Sequence, residues 1–74
     1  MKKITFKKTS SLRPVEHGLV DYIATGLLTR DQDEIPCEIG YIDYSDFDIK
    51  ATHIFIKAGV TASGTHFEDE TIEL

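Results

Sequence analysis

Residues 35–44 alternate between apolar and other side chains, and this pattern constrains the fold more than any other part of the chain. The positions that would share one face of a strand are apolar: Ile35, Cys37, Ile39 and Tyr41. Period-two alternation of this kind is typical of a strand with one buried face. Pro36 and Gly40, on the other face, both disfavour a helix, and Pro36 is expected at the start of a strand or at a sheet edge.

The preceding segment, residues 15–29, is compatible with two structures. As a helix, it would place apolar residues at four-residue spacing behind a favourable first proline: Val15, Leu19, Ile23 and Leu27. As a strand, it would group on one face Val20, Tyr22, Ala24 and Leu28, and the polar residues 31–34 would form the turn of a hairpin with the 35–44 strand. Gly18 and Gly26 would each cost a helix about 1 kcal/mol relative to alanine, so the hairpin is the favoured prediction.

Three further segments favour strands. Residues 3–8 alternate, with Ile4 and Phe6 on one face and a basic outer face. In residues 46–58, Ser45 could cap a helix, but the β-branched alternation around Ile54 and Ile56 favours a strand from about 50 to 58. Residues 65–73 are predicted to form a last strand anchored by Phe67.

The predicted fold class is therefore mainly β. We expect one small globular domain over residues 1–74: a twisted antiparallel sheet or partly closed barrel of 4-5 strands, with room for one short helix. The alternative is an α+β fold with a helix at about 14–28. A sheet of so few strands must cover its edges, and pairing with a second copy would do so, which makes a homo-oligomer through sheet edges an expectation.

Composition narrows the class of protein. Cys37 is the only cysteine, so no internal disulfide forms. No apolar run approaches the roughly 20 residues that span a membrane, and Lys7 and Lys8 stand where a signal peptide would need apolar residues. The expectation is a cytoplasmic protein without a membrane partner.

The charges are divided unequally along the chain. Residues 1–13 carry five basic residues and no acid, whereas residues 14–74 carry three basic residues and all thirteen acids. The stretch 31–48 holds seven acids and no Lys or Arg. Such asymmetry bears on partners and association rates. The basic residues near the N-terminus could contact phosphates, but they are few and belong to an acidic body that would repel a polyanion, so nucleic acid is not expected as a partner.

The sequence shows no recognisable catalytic motif, and neither a cofactor nor a metal ion is predicted. Cys37 lies within an apolar alternation, where a small buried side chain is the ordinary role. His17, His53 and His66 lack zinc-motif spacing, although His53 and His66 would lie on adjacent strands if 50–58 and 65–73 formed a hairpin. Asp31 and Asp33 begin a pattern that lacks the later calcium ligands.

An acidic, aromatic segment is the predicted partner-binding site. Its candidate residues combine three aromatic rings with three carboxylates: Tyr41, Asp43, Tyr44, Asp46, Phe47 and Asp48. Aromatic rings supply contact area at interfaces and acids select a basic partner; alternatively, Tyr41 and Phe47 belong to the core and the acids to a solvated turn. The leading hypothesis is a non-enzymatic binding protein, such as a small inhibitor or accessory factor, that docks on a basic protein surface. The alternative is a structural subunit of a homo-oligomer or larger assembly.

Overall fold

The computed structural model describes residues 4–30, 32–45 and 48–74, and these residues form eight β-strands. In chain order they are β1 (Thr5–Lys8), β2 (Arg13–Pro14), β3 (Tyr22–Arg30), β4 (Asp33–Asp43), β5 (Ile49–Ile56), β6 (Gly59–Val60), β7 (His66–Phe67) and β8 (Glu70–Glu73). The described residues contain no helix, so the mainly β prediction is confirmed and the alternative helix at about 14–28 is wrong. Accordingly, no apolar helix of membrane-crossing length occurs in them.

Six strands form one antiparallel sheet in the order β1–β3–β4–β5–β8, with β2 also paired to β3. β6 and β7 form a separate two-stranded ribbon. The sheet does not close into a barrel. Of the two predicted forms, the open antiparallel sheet is therefore the one observed.

The β3–β4 hairpin confirms the favoured prediction for residues 15–29 over most of that segment. Nine residue pairs join the two strands, from Tyr22 opposite Tyr41 to Arg30 opposite Asp33. The predicted placement of Val20 on the same face as Ala24 and Leu28 is wrong. Val20 precedes β3, and its side chain packs at Gly40 beside Phe55, on the opposite face.

The sheet is five strands wide, β1–β3–β4–β5–β8, in agreement with the predicted 4-5 strands, but two of the predicted strands are interrupted. β1 and β2 are two halves of one edge strand: Lys8 lies opposite Gly26 and Arg13 lies opposite Ile23, so residues 9–12 span only two residues of β3. Within this irregularity the Ser10 hydroxyl accepts a hydrogen bond from the Thr25 amide at 2.8 Å, in place of a backbone carbonyl.

The predicted last strand, residues 65–73, is divided in the same way. β7 pairs with β6, whereas β8 pairs with β5. Between β7 and β8, the Asp69 carboxylate accepts a hydrogen bond from the Ala58 amide at 2.7 Å. This bond ties the break to the end of β5, and it explains why Phe67 and Ile72 do not follow one alternation.

The main core occupies one face of the sheet, which we call the core face. Its buried cluster comes from β3, β4 and β5: Leu28, Ile35, Cys37, Ile39, Ile54 and Ile56. Five half-buried residues pack against the cluster: Phe6, Tyr41, Ala51, Phe67 and Ile72. Pro36 precedes Glu38, the first residue of β4 that pairs with β5. On that side β4 is therefore a sheet edge at Pro36, as predicted.

A β-bulge in β5 reconciles two apolar patterns of opposite phase. Gly40 pairs with His53 and the next residue, Tyr41, pairs with Ala51, which leaves Thr52 as the extra residue. A bulge of this kind shifts the side-chain alternation by one position. Ile54 and Ala51, which lie on opposite sides of the bulge, therefore both face the core. In a regular strand, two residues three positions apart would point to opposite faces.

The sheet curls over the core cluster at the β3–β4 turn. Arg30 and Glu70 form a two-pronged ion pair, at 3.1 and 3.3 Å, across the core face. Their strands, β3 and β8, are separated by β4 and β5, a distance of about 14 Å in a flat sheet. At the same end, Ser63 in the β6–β7 ribbon donates a hydrogen bond to Asp33 at 2.6 Å. Both contacts cover the core face at this end.

Replacement of Gly26 by alanine is expected to destabilise the sheet. A Cβ there would lie 2.6 Å from the backbone oxygen of Lys7 and 2.5 Å from Cδ1 of Ile39, and overpacking of this kind costs about 1–3 kcal/mol. Gly18→Ala is the matched control because a Cβ at Gly18 meets no atom within 4 Å. Urea denaturation measures both free energies of unfolding, and equal values would contradict the close approach of β1, β3 and β4.

Candidate interaction surface

Asp21 joins two chain segments at the end of the sheet opposite the β3–β4 turn. Its amide donates to the Tyr41 carbonyl at 2.8 Å, and its carboxylate accepts from the Asp43 amide at 3.0 Å. The loop before β3 and the turn after β4 are thereby held together. We call this end, formed by Asp21, Asp43, Tyr44 and Asp48, the acidic tip.

The β4–β5 turn within the acidic tip is closed by three hydrogen bonds. The Tyr44 amide donates to the Asp48 carbonyl, and the Asp48 amide donates to the Ser45 carbonyl, both at 3.0 Å. The Asp43 carboxylate accepts from the Ser45 amide at 3.2 Å. Aspartates of this kind stabilise turns, so Asp43 has a structural role besides its charge.

Exposed apolar side chains accompany the carboxylates at the acidic tip. Tyr44 is 61% exposed, and Ile49, paired with Asp43, is 42% exposed. Sequence reasoning missed Asp21 and Ile49. Asp21 could have been found from the hairpin itself. Because Tyr22 pairs with Tyr41, the residue just before Tyr22 and the residues just after Tyr41 lie at the same end of the sheet.

The predicted partner-binding residues fall into three groups. Asp43, Tyr44 and Asp48 are exposed at the acidic tip. Tyr41 is half-buried on the core face, where it packs against the core cluster, and burial raises the pKa of its hydroxyl. Asp46 and Phe47 lie outside the described residues.

The acidic stretch 31–48 is partly neutralised by the basic N-terminal segment. Lys7 lies 3.5 Å from Glu34, and Arg13 forms a 2.9 Å ion pair with Glu38, in both cases across the face opposite the core. β1 and β2 lie beside β3, which is the neighbour of β4, and this order brings the opposite charges together. At the acidic tip, Lys50 approaches Asp48 only to 3.9 Å. The negative field of the stretch is therefore concentrated towards the tip.

The histidines lie on the face opposite the core, or on the ribbon, rather than in one site. Phe55 stands between His17 and His53, with ring centroids at 5.1 and 6.0 Å. His53 pairs with Glu73 and His66 pairs with Val60, so the adjacent placement of His53 and His66 considered from the sequence does not occur. Over residues 4–30, 32–45 and 48–74, no group of three His, Cys, Asp or Glu side chains could hold a metal ion.

An open groove of about 520 Å³ lies where β4 and β5 separate, mainly on the face opposite the core, and its lining also includes Cys37 and Ile56 of the core cluster. Its lining includes apolar side chains and three polar ones: Ile23, Pro36, Phe55, His17, Glu38 and Lys57. Glu38 is already paired with Arg13. The groove lies away from the predicted partner-binding residues.

Comparison with known proteins gives no relative. The chain matches no protein-family model, and no curated protein and no solved structure is significantly similar to it.

Loss of the Asp21 carboxylate is expected to loosen the acidic tip. Asp21→Ala removes the acceptor for the Asp43 amide, which costs about 1 kcal/mol, whereas Asp21→Asn retains an acceptor oxygen. Hydrogen exchange at the Asp43 amide should be faster in the alanine variant than in the asparagine variant. Equal exchange rates in the two variants would show that this bond does not hold the loop to the turn.

Cys37 is expected to react slowly with iodoacetamide in the folded protein. Burial raises the pKa of its thiol, and the neighbouring Glu38 carboxylate raises it further, so little thiolate is present at pH 8. The alkylation rate should be at least about tenfold lower than in the unfolded chain in urea, because the thiolate is the reactive form. A native rate that exceeds the unfolded rate would indicate an activated nucleophile and contradict this assignment.

Proposed function

We propose that this protein is a non-enzymatic binding protein, such as a small inhibitor or accessory factor, whose acidic tip docks on a basic protein surface. The observation that carries the proposal is the double hydrogen bond of Asp21 to the end of β4. It holds exposed carboxylates and exposed apolar side chains in one place. Interfaces combine aromatic contact area with charges that complement the partner.

The distribution of charge supports a basic protein partner. Asp21 and Asp43 use their carboxylates to accept backbone hydrogen bonds and have no cation beside them among the ion pairs of the described residues. Their negative charges therefore remain available to steer a basic surface towards the tip. Tyr44, 61% exposed, would supply contact area beside these charges.

The pairing of the basic residues supports a protein partner over nucleic acid. Lys7 and Arg13 face Glu34 and Glu38 within the same chain. A polyanion would have to displace these pairs and approach a chain with a formal net charge of −5. The burial of Cys37 and the separation of His53 from His66 support the non-enzymatic part of the proposal.

Removal of two charges at the acidic tip is expected to weaken binding to the partner. Asp43→Asn with Asp48→Asn removes two negative charges but keeps the acceptor that Asp43 offers to Ser45. Glu68→Gln with Asp69→Asn is the matched control, because it removes the same charge and keeps the acceptor that Asp69 offers to Ala58. Proteins captured from a cell lysate are identified and then compared between the two variants and the wild type.

The expected result is a loss of about fivefold or more in the amount captured by the tip variant, with little change in the control. The captured partner should be basic and should elute at raised salt. Equal retention of every captured protein by the tip variant, the control and the wild type would contradict docking through the acidic tip.

A further inference from the structure

The sheet is split between β4 and β5 at the end near the β3–β4 turn. The two strands pair only as far as Glu38 opposite Phe55. β4 nevertheless extends back to Asp33, so its first residues have no partner strand on that side. The open groove of about 520 Å³ lies at this split.

Pro36 explains why the pairing stops. The Thr25 amide and carbonyl bond to the Ser10 hydroxyl and the Thr9 amide, away from β4. Glu38, which lies opposite Thr25, must then direct its own amide and carbonyl towards β5, and so must Pro36 two residues earlier. Proline has no amide hydrogen to donate, so the next hydrogen-bonded pair cannot form and β5 separates from β4.

Two polar side chains of the groove offer hydrogen-bond donors. Lys57 belongs to no ion pair of the described residues, and its amide, released by the split, has no backbone partner among them. His17 packs on Phe55, with ring centroids 5.1 Å apart. Its Nδ1 accepts a hydrogen bond from the Leu19 amide at 3.1 Å, so the neutral ring carries its proton on Nε2, which can donate.

The acids on this face of β4 are already paired with cations. Arg13 lies 2.9 Å from Glu38, and Lys7 lies 3.5 Å from Glu34. The unpaired charge of the groove lining is therefore the positive charge of Lys57. The carboxylates of the acidic tip are about 23 Å further along β4, well beyond the Debye length of about 8 Å at physiological salt, so they do not cancel this local attraction for an anion.

The remainder of the groove lining is apolar. Ile23, Pro36 and Phe55 line it on the face opposite the core, and Cys37 and Ile56 lie at the split itself. Sites for small molecules have volumes of about 300–1,000 Å³ and apolar walls with a few placed polar groups. The groove has both properties.

We propose that this groove binds a small carboxylic acid with an aromatic or other apolar body. The body would lie against Phe55 and Pro36, the carboxylate would pair with the Lys57 ammonium, and His17 Nε2 would donate to a ligand oxygen. A peptide strand fits less well, because the free edge of β4 lacks a donor at Pro36 and the β6–β7 ribbon is bonded to Asp33 at its start. The proposal does not depend on docking of the acidic tip, since no residue of the tip lines the groove.

Titration of ¹⁵N-labelled protein with naphthoate tests the site. The amides of Glu38, Phe55 and Lys57 should shift and saturate with a Kd of about 1 mM or lower, while those of Asp43 and Tyr44 at the acidic tip should not. Naphthamide keeps the rings without the charge, and acetate keeps the charge without the rings. Each should bind at least about fivefold more weakly than naphthoate.

Lys57→Met removes the positive charge but keeps a long side chain, and it should raise the Kd for naphthoate at least about fivefold. Lys50→Met is the matched control, because it removes the same charge from an exposed lysine at the other end of β5. Pro36→Val is a second variant. It supplies the missing amide and a residue that favours strands, so β4 and β5 should pair further, close the groove and weaken naphthoate binding.

The variant with Asp43→Asn and Asp48→Asn should bind naphthoate as the wild type does, which separates this proposal from docking on a basic partner. The dispersion of the amide spectrum verifies that each variant is folded. Absence of saturable shifts in the wild type would overturn the proposal, as would naphthamide that binds as tightly as naphthoate. A Kd for naphthoate that is unchanged in both Lys57→Met and Pro36→Val would overturn it as well.

Discussion

The antiparallel pairing of β3 with β4 is the interaction on which the rest of the structure depends. Its nine residue pairs bring Leu28 beside Ile35 and Ala24 beside Ile39, which creates the centre of the core face. β4 then serves as the template for β5 over six further pairs. The same register ends at Tyr22 and Tyr41, so it also decides that Asp21 meets the end of β4 and that the acidic tip forms there.

The second constraint is that a single small sheet has to bury apolar side chains on both of its faces. The core face is covered by curling, through Arg30 and Glu70, and by the β6–β7 ribbon. On the opposite face, Val20 is 3% exposed and packs over Gly40 beside Phe55. Each cover extends over part of its face only. A chain of this length has too few residues to cover both faces fully.

The sequence predicted the parts of the fold that follow from local alternation. Residues 35–44 pointed to the central strand, and the cost of Gly18 and Gly26 in a helix favoured the hairpin over the helix at about 14–28. The interruptions were not predictable in this way, because they depend on contacts distant in sequence. The break before β8 rests on the bond between Asp69 and Ala58, and the phase change in β5 needs the bulge at Thr52.

The candidate site was predictable in its chemistry and only partly in its geometry. Asp43, Tyr44 and Asp48 lie at the acidic tip as an exposed group, but Tyr41 faces the core because it continues the alternation of Ile39. The pairing of Glu34 and Glu38 with Lys7 and Arg13 is a consequence of strand order, which no local pattern reveals. Strand order thus turns a charge asymmetry along the sequence into a more restricted negative surface at one end of the molecule.

Under the proposed function, charge at the acidic tip brings a basic partner to this protein. The most direct measurement is the association rate with a captured partner as a function of salt concentration. Electrostatic steering predicts that the association rate falls steeply between about 50 mM and 500 mM NaCl while the dissociation rate changes little. An association rate that does not change with salt would contradict the claim.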